Sequence, residues 1–174
     1  GGDRDVVVAA INAAGLTAAN ENGAGQIVAA GSLTALAALA ENPPEGSRVR
    51  ALAVSGAFHT STMVPAVSHL ATLAASLHAT DPMIPFISNK DGAVVESGRE
   101  ILDRIVGQIA GPVRWDLCME TMAKCGVTGV IEVPPAGTLV GLVKRAQSEI
   151  QTFALKGPED LDAAKAFIAE HGGN

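Results

Sequence analysis

The sequence predicts an α/β protein, and three features of the 174 residues carry that prediction. Residues 3–54 read as helix, strand, strand, helix and strand, which is a split βαβ order without its first strand. Residues 84–170 alternate strands with helices, a pattern typical of a parallel sheet covered by helices. A hydrophobic content of 48% is enough for a sizeable core. We therefore expect a split βαβ part followed by a parallel-sheet part.

The first elements follow from capping residues and turn residues. Asp3 or Asp5 can cap a helix that Gly15 ends. Two short apolar strands are expected at 16–19 and 26–30, joined by a turn rich in Asn and Gly. A second helix, capped by Ser32, extends through Ala40, and Arg48–Val54 is expected to be a buried strand. The first residue is Gly1 and not Met, so we expect a piece of a longer protein.

The later elements follow from apolar periodicity and from Gly and Pro residues. Helices are expected at 63–79, 99–109, 115–124, 138–147 and 159–170, and strands at 84–88, 129–133 and 151–155. Cys118 and Cys125 are seven residues apart on one expected helix, a rise of roughly 10 Å, which is too long for a disulfide. We expect both to be buried thiols.

The composition narrows the kind of partner. The net charge is −6, and no run of Lys and Arg occurs, which argues against nucleic acid and against a membrane surface. Neither a leader sequence nor an apolar run near 18 residues is found, so the cytoplasm is the expected location. No thiolate or carboxylate cluster accompanies His59, His69 and His78, so no metal site is expected.

His59 is the most interesting polar residue, because it falls in the turn between the strand at 48–54 and the helix that follows. Turns at strand ends expose side chains to clefts, and an imidazole can take and return a proton near neutral pH. The residue type and position suit a general base. A capping or packing histidine is the alternative, and for a lone histidine it is the commoner role.

The residues around His59 carry a family resemblance. The segments A-V-S-G-A-F-H-T, N-E-N-G-A-G-Q-I-V-A-A-G, F-I-S-N-K-D-G, G-Q-I-A-G-P-V-R-W and I-E-V-P-P-A-G-T-L-V-G-L-V-K-R resemble those of malonyl-CoA:acyl carrier protein transacylases. The resemblance extends over nearly the whole chain. It implies the C-terminal part of that enzyme, with residues 1–55 in the ferredoxin-like small subdomain and 56–174 in the α/β-hydrolase-like larger one.

The resemblance also implies an activity. Malonyl passes from coenzyme A to a serine and then to the phosphopantetheine thiol of acyl carrier protein, which supplies fatty acid synthesis. Malonyl-CoA and acyl carrier protein are the implied partners, and no cofactor is implied beyond the coenzyme A thioester that is the substrate.

Carried over residue by residue, the resemblance assigns roles around the histidine. His59 stands where the family has its catalytic base, and Gln108 where a backbone carbonyl accepts the other ring N–H in place of a triad carboxylate. Asn89 matches an asparagine beside the histidine. Ordinary satisfaction of buried polar groups is the alternative for Asn89 and Gln108. Asn20, Asn22 and Gln26 match the mouth of the cleft, where amides could meet substrate, and turn chemistry is their alternative.

Phe58 precedes the base. In related acyltransferase domains a phenylalanine here accompanies malonyl and a serine accompanies methylmalonyl, so the resemblance implies malonyl selectivity. Packing of Phe58 in the core is the alternative reading.

The nucleophile of the family is not among these residues. No Gly-x-Ser-x-Gly motif occurs, and Ser55 and Ser61 lack the strand-serine-helix setting. We expect the missing N-terminal segment of the same enzyme to supply the serine, and the isolated fragment to be inactive. Ala136 stands where the family has a glycine, before Gly137 in a turn that could cradle phosphate or simply begin a helix.

Two further functions stay open at the level of sequence. The chain could be part of the acyltransferase domain of a polyketide synthase. Alternatively, it could be a non-catalytic module that binds a carrier protein. An upstream Gly-x-Ser-x-Gly segment would favour the enzyme.

Overall fold

The computed structural model describes residues 2–54 and 56–172. These residues form an α/β arrangement, which confirms the predicted class. The chain divides into two compact units, Gly1–Cys118 and Met119–Asn174. The predicted subdomain boundary follows Ser55, which lies outside the described residues, and it stays a prediction.

The elements follow one another in this order: α1 (Arg4–Ala13), β1 (Thr17–Glu21), β2 (Ile27–Ala30), α2 (Leu33–Glu41), a 3-10 turn (Ser61–Met63), α3 (Val64–Ala74), β3 (Phe86–Ile87), β4 (Val94–Val95), α4 (Gly98–Gln108), β5 (Val113–Arg114), α5 (Trp115–Lys124), β6 (Gly129–Glu132), α6 (Leu139–Ala146), β7 (Gln151–Ala154), a 3-10 turn (Pro158–Asp160) and α7 (Leu161–His171).

The N-terminal helices begin where their caps predict. The Asp3 carboxylate accepts hydrogen bonds from the backbone N–H of Asp5 and Val6, which starts α1. The Ser32 hydroxyl does the same for Ala35 at the start of α2. Buried side chains of α1, α2 and the residue before β1 form a small core, which consists of Ile11, Leu16 and Leu39.

The sheet of the first unit is mixed, with the strand order β2-β1-β5. β1 and β2 are antiparallel, as a hairpin requires, and their turn holds Gly23, Ala24 and Gly25 at positive φ. β5 pairs parallel to β1 and places Val113 opposite Asn20. Two residues are too few to produce a periodic pattern, so β5 was not predicted. β3 and β4 form a separate antiparallel pair.

The predicted strand at 48–54 is wrong. The structure assigns no strand to these residues, and Val49, Leu52 and Val54 are exposed, Val54 by 72%. A strand needs a neighbour that completes its ladder of hydrogen bonds, and none of the described residues pairs with this segment. Its apolar run resembles that of a buried strand, but here the backbone and side chains face open space.

α3 is shorter than expected, since it ends at Ala74 and not at Ala79. The Ser76 hydroxyl donates to the carbonyl of Leu73 at 2.8 Å, and the N–H of Ser76 turns to the same carbonyl. Such local bonding by a serine competes with the helical pattern and tightens the last turn. None of the described helices is long and apolar enough to cross a membrane.

The second unit contains the predicted parallel pair. β6 and β7 run side by side, with Ile131 opposite Phe153, and α6 connects them as in a βαβ unit. Val143 of α6 is completely buried, and Val140 and Leu142 are nearly so. This confirms the predicted alternation and parallel pairing for residues 129–154, whereas the strand predicted at 84–88 is only Phe86–Ile87 and pairs antiparallel with β4.

The two cysteines differ. Cys118 is buried, as predicted, and its thiol donates to the Ser88 carbonyl at 3.4 Å. Cys125 is exposed, so its predicted burial is wrong. The reason is that α5 ends at Lys124, and Cys125 lies in the turn that follows.

Candidate active site

His59 sits in a strained turn. Its φ is +64°, a left-handed conformation that histidine adopts more readily than bulky β-branched residues. The backbone N–H of His59 donates to the Ile109 carbonyl at 2.9 Å, and the buried hydroxyl of Thr60 donates to the Ala57 carbonyl at 2.7 Å. These bonds hold the conformation, so the direction of the imidazole is set by the backbone.

Two backbone carbonyls hold the ring. His59 Nδ1 lies 2.8 Å from the Gln108 oxygen and 3.2 Å from the Gly111 oxygen. A carbonyl oxygen can only accept a hydrogen bond, so Nδ1 must carry the proton and Nε2 is the basic nitrogen. The ring is half-buried. Because the protein holds Nδ1 with two carbonyl oxygens, it also sets the direction of Nε2.

One of the two carbonyls, that of Gln108, lies at the end of a helix, and that of Gly111 lies in the turn that follows it. α4 ends at Gln108, and the last carbonyls of any helix lack partners within it and carry partial negative charge. Both oxygens face Nδ1 of the imidazole and hold the ring in one orientation. They do so in place of a carboxylate. The Gly111 oxygen was not anticipated, because a backbone carbonyl has no side-chain signature in a sequence.

The side chain of Gln108 also takes part. Its Nε2 donates to the Gly111 carbonyl at 3.0 Å and to the Pro112 carbonyl at 2.8 Å. The family resemblance implied a role only for the backbone carbonyl of Gln108. The amide closes the turn whose oxygens face Nδ1.

Phe58 lies outside the core. Its side chain is 46% exposed, and its ring centroid is 6.5 Å from that of His59, with the planes tilted by 57°. The ring passes close to Gly56, where an added Cβ would stand 3.2 Å from it. The core-packing reading of Phe58 therefore has no support in the structure.

The other predicted site residues are placed by backbone bonds. Asn89 is exposed, and its carbonyl accepts from the N–H of Arg114 at 2.7 Å. Asn20 lies on the central strand β1, and Asn22 and Gln26 close the hairpin through a backbone bond of 2.9 Å. The bond between Asn22 and Gln26 is the turn chemistry weighed as the alternative for these two residues. Substrate contacts by the amides of Asn20, Asn22, Gln26 and Asn89 stay a prediction.

A charge cluster beside these asparagines was missed by the sequence analysis. Buried Glu21 accepts from Arg4 at 2.6 Å and lies 3.7 Å from Arg114, which in turn holds Asp116 at 2.8 Å. The hydrogen bond with Asp116 raises the pKa of the Arg114 guanidinium, and Glu21 does the same for Arg4. Both cations are matched by carboxylates, so the cluster ties β1 to β5 and is not an anion site.

The glycine-rich turn after β6 does not offer a phosphate cradle. The Glu132 carboxylate already accepts from the N–H groups of Gly137, Leu139 and Val140 at 2.8 to 3.0 Å. A carboxylate thus occupies the helix N-terminus where an anion would bind. The phosphate-cradling interpretation is wrong, and the turn begins α6.

An imidazole oriented in this way on an α/β scaffold is the kind of general base that acyltransferases and hydrolases use. Comparison with known proteins points to one family of them. No protein-family model matches the chain.

Curated relatives do match. The chain is 49% identical over 162 residues to the malonyl CoA-acyl carrier protein transacylase of Mycobacterium tuberculosis (strain ATCC 25618 / H37Rv). This match covers 93% of the chain and 54% of the relative. The chain is 32% identical over 158 residues to the transacylase of the same name from Bacillus subtilis (strain 168). This match covers 90% of the chain and 50% of the relative.

Solved structures of proteins with the same family name also match the chain. The crystal structure of MCAT from Mycobacterium tuberculosis matches with a TM-score of 0.89 and 48% identity over 94% of this chain and 54% of that one. A type II PKS acyl-carrier protein in complex with its malonyl-transacylase gives a TM-score of 0.84 and 28% identity over 94% and 55%. The resemblance to malonyl-CoA:acyl carrier protein transacylases is thus confirmed in sequence and in fold. The chain spans about half the length of the curated relatives it matches.

Proposed function

We propose that this chain supplies the general base of a malonyl-CoA:acyl carrier protein S-malonyltransferase, and that His59 is that base. The observation that carries the proposal is the pair of carbonyl oxygens, from Gln108 and Gly111, that face Nδ1 and leave Nε2 basic. A general base needs one ring nitrogen fixed and the other available to react, and the two carbonyls fix Nδ1 here.

The reaction that follows has two halves. In the first, Nε2 takes the hydroxyl proton of a serine as its oxygen attacks the malonyl thioester, and the proton then passes to the departing coenzyme A sulfur. In the second, Nε2 takes the proton of the phosphopantetheine thiol as its sulfur attacks the malonyl ester, and the serine oxygen recovers a proton. The carbonyls of Gln108 and Gly111 hold Nδ1 in both halves and so keep the ring oriented for the proton transfers of Nε2.

We propose that the nucleophilic serine comes from the part of the relatives' length that this chain does not cover. The 174 residues contain no Gly-x-Ser-x-Gly motif. The relatives are about twice as long as the stretch they share with this chain. We place residues 1–55 in a ferredoxin-like subdomain and 56–174 in an α/β-hydrolase-like subdomain of the complete enzyme.

The remaining site residues take supporting roles in this proposal. We propose that Asn89 acts beside His59 in the complete enzyme, and that the amides of Asn20, Asn22 and Gln26 meet substrate at the mouth of its cleft. Phe58 limits the space near the α-carbon of the acyl group, a role that its exposed ring next to His59 supports. Acyl carrier protein and malonyl-CoA are the proposed partners.

A chimeric transacylase tests the proposal. In it, the matched segment of the Mycobacterium tuberculosis relative is replaced by this chain, and labelled malonyl is followed from coenzyme A to holo acyl carrier protein. We expect transfer by the chimera and no stable label on the 174-residue chain alone, because a base without a nucleophile forms no acyl-enzyme. A folded chimera that transfers no malonyl, beside an active parent relative, would overturn the proposal.

A further inference from the structure

We propose that the side-chain amide of Gln108 is a positioning group for His59, which fixes the carbonyl oxygens that hold Nδ1. This inference rests on the proposed function of His59 as a base. It adds a side-chain role to a residue for which the resemblance implied only a backbone oxygen.

The hydrogen bonds form a closed set. Gln108 presents its own carbonyl to Nδ1 at 2.8 Å, and its Nε2 binds the Gly111 carbonyl, the second oxygen that faces Nδ1. The same Nε2 binds the Pro112 carbonyl at 2.8 Å. One side chain thus fixes the spacing of both oxygens, and any shift of Gly111 moves an acceptor of the imidazole.

Backbone bonds hold the first part of the turn. The His59 N–H donates to the Ile109 carbonyl at 2.9 Å, the N–H groups of Ala110 and Gly111 lie 3.2 and 3.1 Å from the Gly107 carbonyl, and the Gly111 N–H lies 3.3 Å from the Gln108 carbonyl. Two of its residues are glycines, which have the most backbone freedom to lose. Without the amide, we expect this turn to sample several arrangements.

Open space lies against the turn. A cavity of about 450 Å³ is lined by Gln108, Gly107, Gly111 and Pro112 together with charged residues of α4 and the loop after β3, namely Lys90, Glu100, Asp103 and Arg104. Arg104 is paired with Glu100 and Asp91. Asp103 is paired with Arg99. Among the residues that the structure describes, the Gln108 amide is the side-chain group that donates to two carbonyls of this turn.

Gln108→Met tests the inference, because methionine has similar length and no donor. We expect kcat/KM of the chimeric transacylase to fall on the order of 10-fold, as is typical when a partner that orients a reactive ring is lost. The hydrogen-bonded Nδ1–H signal of His59, read by ¹⁵N NMR of the 174-residue chain and of the chimera, should weaken. Gln108→Lys restores donors of similar reach and should recover the signal.

Gln147→Met is the matched control. It removes a bond of the same kind, from Gln147 Nε2 to the Met119 carbonyl at 2.8 Å, and should leave the Nδ1–H signal unchanged. An unchanged Nδ1–H signal in Gln108→Met, or an equal loss in Gln147→Met, would overturn the inference. The two proposals can fail separately. If the parent chimera is inactive but shows a normal Nδ1–H signal, and Gln108→Met weakens that signal, the proposed function is contradicted and the positioning role of Gln108 is supported.

Discussion

The carboxylate of Glu132 accepts a hydrogen bond from the backbone N–H of Val140 at 3.0 Å, across a turn of seven intervening residues. It also accepts from Leu139 and Gly137, so a residue at the end of β6 caps α6. Burial by itself would raise the pKa of Glu132, but the N–H groups of Val140, Leu139 and Gly137 outweigh it and hold the pKa below its ordinary value.

Glu132→Gln should therefore lower the free energy of unfolding by about 1–2 kcal/mol, since a helix cap of several bonds becomes a weaker neutral one. The stabilisation has a pH window. Because the folded-state pKa is below the ordinary value of 4.5, it is present above that pH and is lost as the pH falls through the folded value.

Urea unfolding of the 174-residue chain at a series of pH values measures this effect, and the variant should lose part of the acid sensitivity. Glu170→Gln, at an exposed carboxylate near His171, is the control and should change stability little. Equal stability of Glu132→Gln and the parent at pH 7 would show that the cap contributes nothing.

The thiols should react at different rates. Burial raises the pKa of the Cys118 thiol to about 11, whereas Cys125 is exposed. Because only the thiolate is nucleophilic, a shift from 9.0 to about 11 lowers the reactive fraction of Cys118 about 100-fold, before access is considered. Alkylation of the native chain at pH 8, followed by mass spectrometry, should label Cys125 first. Cys125→Ser should leave the native chain nearly unlabelled, and denaturant should expose Cys118. Rapid labelling of Cys118 in the native chain would contradict its burial.

Much of the fold could be predicted from local signals. The hairpin, the capped helices α1 and α2, and the β6-α6-β7 unit each depend on periodicity, a cap or a turn within one short segment. α5 occupies the predicted range, Trp115–Lys124. Where the structure differs from the prediction, the secondary structure depends on pairing with residues far away in the sequence. The apolar run at 48–54 has no strand beside it, and β5 exists only because β1 is there to pair with.

The candidate site was predictable in its residue types and not in its geometry. A histidine in a strand-to-helix turn, together with the resemblance, indicated a base. The second carbonyl, from Gly111, and the amide of Gln108 could not be inferred, since every residue has a carbonyl and only the folded turn selects two of them. Glu21 was missed because its partners, Arg4 and Arg114, are far from it in sequence.

Phe58 should influence which acyl group is carried. Its exposed ring next to His59 can fill the space that a methyl group on the α-carbon needs, and one methyl is worth roughly 10- to 200-fold in selectivity. In the chimeric transacylase, Phe58→Ser should narrow the malonyl over methylmalonyl ratio of kcat/KM, mostly by admitting the branched substrate. Phe58→Leu keeps much of the volume and should narrow it less. An unchanged ratio in Phe58→Ser would remove Phe58 from the substrate site.

His59 is the residue on which the account depends, and asparagine is the most informative replacement for it. Asparagine tolerates the left-handed φ of +64° and keeps a donor for the Gln108 carbonyl, but it cannot take a proton near neutral pH. His69→Asn, at an exposed histidine of α3, is the matched control.

The most direct measurement is the single-turnover rate of malonyl-serine formation in the chimeric transacylase, taken at saturating malonyl-CoA. We predict that His59→Asn lowers this rate on the order of 10² to 10⁴-fold while His69→Asn leaves it within about twofold. A rate for His59→Asn close to that of the parent, in a chimera that remains folded, would contradict the assignment of His59 as the general base.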